Sequence, residues 1–332
     1  MATLVLTVTE SLRYRGKIGQ WSWMLHRIAG LGTVLFLFLH VIDTSWAVFF
    51  PELYKEAIAQ YQSPLFTVGE FALVACVIFH ALNGLRVVIF DWRPRWWYRQ
   101  EAAARLVFGG TLVLLIPTFV VMFGHVLDHY REMGGLDLRL QEIVSTMSRF
   151  ALGVVAILAL SLVVSVVYAV VPGVNTPKRG HRSRFDSFMW LFMRLSGLLI
   201  IPLVFGHLGM MHVIQGVFDI TTKNVVPIGA NLANITGNAW EFVAIRWNTM
   251  FAGVFIWRVY DVGLLLLAVA HGFNGLRNVV NDYAHNVIVN RGLNIAILTT
   301  AIGLMIVGAL AIINTVPADT LKMIEQAAQT IH

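Results

Sequence analysis

The sequence predicts an all-α protein: a polytopic transmembrane helix bundle of about seven spans, arranged as two three-helix units joined by a linking helix. Three observations carry that expectation. The 332 residues are 58% hydrophobic and only 13% charged, with a mean hydropathy of +0.72, against roughly 25% charged residues in soluble domains. Several runs reach the roughly 20 apolar residues that cross a hydrocarbon core of about 30 Å. The sequence also repeats itself, and the repeat falls on helices that carry histidine and arginine.

Apolar runs place the spans at 24–49, 66–90, 106–124, 150–171, 187–214, 252–280 and 293–315. The first 20 residues lack the long apolar core of a cleaved signal, so the amino terminus is expected to be mature. Basic residues gather on alternate connections: Arg13, Arg15 and Lys17 before the first span; Arg93, Arg95, Arg99 and Arg105 after the second; Lys178, Arg179, Arg182 and Arg184 after the fourth; Arg277 and Arg291 around the sixth. The other connections offset their basic residues with Glu52, Glu56, Asp128, Glu132, Asp137 and Glu142. By the positive-inside rule the amino terminus is cytoplasmic and the carboxyl terminus is outside. Trp21, Trp23, Trp92, Trp96 and Trp97 flank the inner ends of the first two spans, where interfacial anchors belong. The net charge of +6 is thus a matter of topology rather than of nucleic-acid binding.

The repeat has two parts. LHRIAGLGTVLFLFLH at 25–40 recurs as FMRLSGLLIIPLVFGH at 192–207, aligning Arg27 with Arg194, Gly30 with Gly197 and His40 with His207. HALNGLRVVIFDW at 80–92 recurs as HGFNGLRNVVNDY at 271–283, aligning His80 with His271, Asn83 with Asn274, Arg86 with Arg277 and Asp91 with Asp282. Both units begin on the arginine-bearing side, so one polypeptide joining them needs an additional crossing, which 150–171 supplies. The expected divisions are 1–130, the linking segment 131–185, and 186–332.

Cys76 is the only cysteine, which excludes an internal disulfide and an ordinary iron–sulfur cluster held by this chain alone. No phosphate-binding loop or dinucleotide fingerprint is present. Histidine is the remaining chemistry. An ionisable side chain inside a bilayer is costly and marks a site by default, although a lone histidine there serves as often as a bond between packed helices. Four at repeated positions point instead to haem b, because neutral imidazole ligates haem iron and bundle interiors build such sites from facing helices.

His80 and His271 each lie 11 residues before an aspartate, about 16 Å deep. Gly84 and Gly275, four residues on, would leave room for a flat porphyrin. His40 and His207 lie 13 residues past their arginines, about 20 Å deep, and would hold a second, distal haem. The competing role for that pair is simple packing, and His212 is the rival distal ligand. Arg86 and Arg277 suit haem propionates and equally suit positive-inside anchoring. Ser22, Arg27, Asp282 and Tyr283 could converge on quinone carbonyls. Asp43 is read as an outer-interface residue, with proton movement as the alternative. His125, His129, His181, His285 and His332 are expected on solvated surface.

At these residues the sequence resembles the cytochrome b membrane-anchor subunits of succinate dehydrogenase (succinate:quinone oxidoreductase), with both anchors in one chain. The His26–Arg27 pair, Gly30 and the segment from His80 to Asp91 resemble the larger anchor. FMRLSG at 192–197 and the segment from His271 to Tyr283 resemble the smaller one. The resemblance implies flavoprotein and iron–sulfur partner subunits in a multi-pass complex of the inner, cytoplasmic membrane, with succinate oxidised on a partner. It implies a shared haem b on His80 and His271 and a quinone near Arg27, Asp282 and Tyr283. In many relatives the quinone-site serine stands where this chain has Trp23, which departs from the pattern and bears on Ser22. Two-haem members draw ligands as His40, His80, His207 and His271 would, and commonly use menaquinone. A higher oligomer stays open, as do a fumarate reductase anchor, a cytochrome for another dehydrogenase or a ferric reductase, and a transporter with an internal repeat.

Overall fold

The computed structural model describes residues 16–61, 64–133, 140–170, 184–209, 243, 247–248 and 251–314. Eight α-helices account for nearly all of them: α1 (Ile18–Phe49), α2 (Pro51–Tyr61), α3 (Pro64–Trp92), α4 (Gln100–Met133), α5 (Leu140–Val170), α6 (Arg184–Leu208), α7 (Ile256–Tyr283) and α8 (Val287–Ile313), with a 3-10 turn at Pro94–Arg99 between α3 and α4. Six are long and apolar enough to cross a membrane by length and composition; α5, the linking helix, carries a shorter apolar stretch at Ala151–Val167. The protein is an integral, multi-pass helical membrane protein.

Helix limits differ from the apolar runs where polar residues are good helix formers or caps. α4 starts at Gln100 because EAAAR continues the helix through its polar end. α8 starts at Val287 because the Asn286 side chain accepts from the amides of Ile288 and Val289 at 3.0 and 3.1 Å. α7 starts only at Ile256, because Phe251 and Val254 pair across a tight turn in which Ala252 and Gly253 take φ of 50° and 79°. α2 was not expected: Pro51 at its start and Glu52 in its first turn open an amphipathic helix that buries Tyr54 and Ala57.

The helices of the two units expected from the repeat interlock: α1 packs on α3 and α4 and also on α7 and α8, while α3 also meets α6. Small residues permit the close approaches. A Cβ on Gly308 of α8 would fall 2.8 Å from Leu265 and 3.1 Å from Val41, and one on Gly292 would fall 3.3 Å from the backbone of Leu162 on α5. The linking helix is further tied to α8 by Ser165 Oγ, which donates to the Ile288 carbonyl at 2.6 Å. Its remaining apolar surface is exposed, as is expected of a face turned to lipid.

Candidate functional site

His80 on α3 and His271 on α7 face one another across the interface between the units. Their ring centres are 6.4 Å apart and their planes are 85° from parallel. Each ring has its Nδ1 engaged by a protein oxygen: His80 against the His26 carbonyl at 3.2 Å, and His271 against the Ser196 hydroxyl at 2.9 Å. Ser196 itself donates to the Phe192 carbonyl at 2.6 Å, so it accepts from His271. With Nδ1 occupied as a donor, the other ring nitrogen is the one left to ligate.

Two glycines, Gly30 and Gly197, let their helices approach the two rings closely. A Cβ on Gly30 would come within 3.0 Å of His80, and one on Gly197 within 3.1 Å of His271. Gly84 and Gly275 look instead toward His26 and Met193, with room for a methyl group at 3.7 and 3.8 Å. Gly30 and Gly197 are aligned by the repeat, so the same packing has been built twice.

A second imidazole pair lies further along the bundle. His40 on α1 and His207 on α6 have ring centres 6.1 Å apart, with planes at 82°. An iron bound about 2 Å from each of two imidazole nitrogens separates the ring centres by roughly 6.3 Å. Both pairs match that spacing. Among the described residues no three His, Cys, Asp or Glu side chains converge as a bare metal ion would require; a pair of imidazoles would suit a group that brings its remaining donors with it.

Polar groups left over near the first pair fit an anionic ligand. Arg86 Nε and Nη1 and His26 Nδ1 are buried and without hydrogen-bond partners among the described residues. His26 stacks on His80 at 4.1 Å and lies within electrostatic range of Arg86. Leaving guanidinium nitrogens buried without partners is costly, and a carboxylate near these groups would offset the cost. Arg277, the repeat partner of Arg86, donates to Asn274 at 3.4 Å.

At the arginine-rich end the repeat crosses over. Arg27 of the first unit pairs with Asp282 of the second, and Arg194 of the second pairs with Asp91 of the first at 2.6 Å. Each guanidinium also lies over the tryptophan four residues before it, Trp23 at 4.2 Å and Trp190 at 3.6 Å. The two pairs are not equally open. Arg194 and Asp91 are each 20% exposed and joined by a second bond from Nε, whereas Asp282 is 51% exposed and Arg27 lies 5.9 Å from the ring of exposed Tyr283. The structure therefore brings Arg27, Asp282 and Tyr283 together in a form that a ligand can reach. Ser22 does not join them: it is fully buried and donates to Asn83 Oδ1 at 2.7 Å.

Comparison with known proteins identifies the family. Residues 7–122 match the family described as Succinate dehydrogenase/Fumarate reductase transmembrane subunit. The chain is similar to the succinate dehydrogenase 2 membrane subunit SdhC of Mycobacterium tuberculosis, at 37% identity over 136 residues, which is 40% of this chain and 100% of the relative. The chain belongs to the succinate dehydrogenase/fumarate reductase transmembrane subunit family. A succinate dehydrogenase hydrophobic membrane anchor subunit of Halobacterium salinarum is also similar, at 29% identity over 105 residues, 31% of this chain and 81% of that one. No solved structure matches.

As a succinate dehydrogenase membrane anchor, the chain carries its notable polar groups mainly where the two units meet. Asp43 is buried and accepts from Tyr61. His285 is exposed. His181, His212 and His332, and the side chains of His125 and His129, lie outside the described residues. Sequence reasoning missed Gly30 and Gly197 as contacts of the imidazoles, though the repeat had aligned them. It also missed Asp261, whose carboxylate lies 3.5 Å from His207 Nδ1.

Proposed function

We propose that this anchor holds two b-type haems, one between His80 and His271 and one between His40 and His207, and conducts electrons from an iron–sulfur subunit to quinone. The observation that carries the reading is the repeated pairing of imidazoles at 6.4 and 6.1 Å, near right angles. The Nδ1 partners of His80 and His271 support it. Haem, when bound, supplies a one-electron carrier inside the bilayer that no side chain here provides.

The chain's own residues would do the rest. Arg86 and His26 are placed to neutralise and hydrogen-bond propionates, with Arg277 in the equivalent position of the second unit. Arg27, Asp282 and Tyr283 would bind a quinone headgroup, the guanidinium and phenol as donors to its carbonyls and the carboxylate holding Arg27 in position. The quinone proposed is menaquinone, following the resemblance to two-haem members. The flavoprotein and iron–sulfur subunits would dock on the arginine-rich face, which by the positive-inside rule is cytoplasmic, and would place the chain in the inner membrane with its amino terminus inside. The second unit would replace a separate smaller anchor. A transporter is disfavoured, because α1, α3 and α7 run as continuous helices through the histidines rather than breaking at a midplane site.

The test is the dithionite-reduced spectrum of the purified complex carrying His80→Ala or His271→Ala. One of two b-type components is expected to vanish in each. A spectrum unchanged in both variants would remove the ligand assignment.

A further inference from the structure

The imidazoles of the two pairs are backed by different chemistry. Behind His80 stands a backbone carbonyl and behind His271 a serine hydroxyl, both neutral acceptors. Behind His207 stands a carboxylate. Among the described residues His207 Nδ1 is buried without a hydrogen bond, and Asp261 Oδ1 lies 3.5 Å away, its side chain only 11% exposed. We propose that Asp261, steadied by Trp247 and Arg258, is the positioning residue for His207. This rests on the reading of His40 and His207 as the distal iron ligands.

The carboxylate is built into place. Trp247, 4% exposed, donates its indole N–H to Asp261 Oδ2 at 3.0 Å, which leaves Oδ1 on the side of His207. Trp247 is itself fixed by Arg258, whose Nε donates to the Trp247 carbonyl at 2.6 Å. Arg258 also reaches Asn248 Oδ1 at 2.6 Å and the Ile313 carbonyl at 2.8 Å. One arginine on α7 thereby ties the segment before α7 to the end of α8 and holds the indole against the aspartate. The repeat shows that an acid at this register is not isolated: Asp261 stands ten residues before His271, and Glu70 stands ten residues before His80.

A carboxylate that accepts from Nδ1–H fixes the tautomer and orientation of an imidazole and raises its basicity toward iron. With the other nitrogen bound to a metal, Nδ1–H would be a stronger donor toward Asp261 Oδ1, 3.5 Å away. The more basic ligand favours ferric over ferrous iron, so it lowers the reduction potential of the group that His207 holds. Removing the indole donor has the opposite consequence to removing the carboxylate: it leaves Asp261 with more charge to offer His207.

The experiment is optical redox titration of the two b-type components in the intact purified complex, for wild type, Asp261→Asn, Trp247→Phe and His207→Ala. Asp261→Asn should keep both components and raise the midpoint of one, the component that His207→Ala eliminates. Trp247→Phe, which keeps the aromatic packing, should lower the midpoint of that same component. Should Asp261→Asn fail to assemble, the direction of the Trp247→Phe shift decides. Unshifted midpoints in the assembled variants, with His207→Ala still eliminating one component, would overturn the role of Asp261 and leave the ligand assignment standing. Retention of both components in His207→Ala would overturn the ligand assignment itself.

Discussion

Substituting alanine at four helical glycines separates the contacts that shape the histidine site from those that do not. At Gly30 the added methyl would lie 3.0 Å from His80 Cε1 and 3.2 Å from Nδ1; at Gly197 it would lie 3.1 Å from His271 Cε1. At Gly84 and Gly275 the nearest atoms are 3.7 Å and 3.8 Å away, an ordinary contact. All four exchanges gain the same helix propensity, about 0.5–1 kcal/mol over glycine, so the difference between the pairs isolates the clash. The rings beside Gly30 and Gly197 must move by a few tenths of an ångström, and overpacking of this kind costs about 1–3 kcal/mol. An imidazole aimed at iron bears that cost as lost affinity, roughly 5- to 150-fold. The assay is haem retained per complex through detergent purification, together with the reduced b-type spectrum. Gly30→Ala and Gly197→Ala should lose or shift the component that His80 and His271 are proposed to hold, while Gly84→Ala and Gly275→Ala should match wild type. If Gly84→Ala is as damaging as Gly30→Ala, or all four leave the spectrum unaltered, the packing argument is wrong.

The two crossed ion pairs should separate stability from ligand binding. Arg194→Ala breaks the more enclosed pair and should destabilise the complex by about 1–3 kcal/mol, between the values for surface and buried pairs, seen as a lower Tm with an unchanged quinone KM. Arg27→Ala should do the reverse, raising the quinone KM several-fold with a smaller change in Tm. Ser22→Ala deprives Asn83, 1% exposed, of its donor; it should cost about 1–3 kcal/mol of stability and leave quinone KM where it was, whereas a KM increase matching that of Arg27→Ala would place Ser22 at the quinone after all. Gly292→Leu should loosen the linking helix, because the backbone of Leu162 already lies 3.3 Å from where a Cβ would be; faster proteolysis between α5 and α6 would report it.

The spans and histidine pairs could be read from the chain because lipid imposes a simple rule on composition and the repeat marks which polar residues recur. What could not be read was the crossing of partners. The alignment of Arg27 with Arg194 and of Asp91 with Asp282 says that four residues are equivalent. It does not say that each arginine takes the aspartate of the other unit, which follows from α1 packing on α7 and α3 on α6. Ser22 illustrates the opposite error: five residues from Arg27 on a helix, it faces another neighbour, and burial against Asn83 decides its partner. The limits of α4 and α8 were misplaced for a local reason, since EAAAR and the cap at Asn286 are polar signals of helix within a search for apolar runs. Asp261 was overlooked because it lies inside the expected span 252–280 but outside the aligned repeat, and only the fold sets His207 and Trp247 on either side of it.

The most direct test of the account is the number of b-type haems per chain in the purified complex, from the pyridine haemochrome and the protein concentration. Two facing pairs of imidazoles predict a ratio of two. A ratio of one would retire the pair of His40 and His207, and an intact complex with no haem would contradict the account at its base.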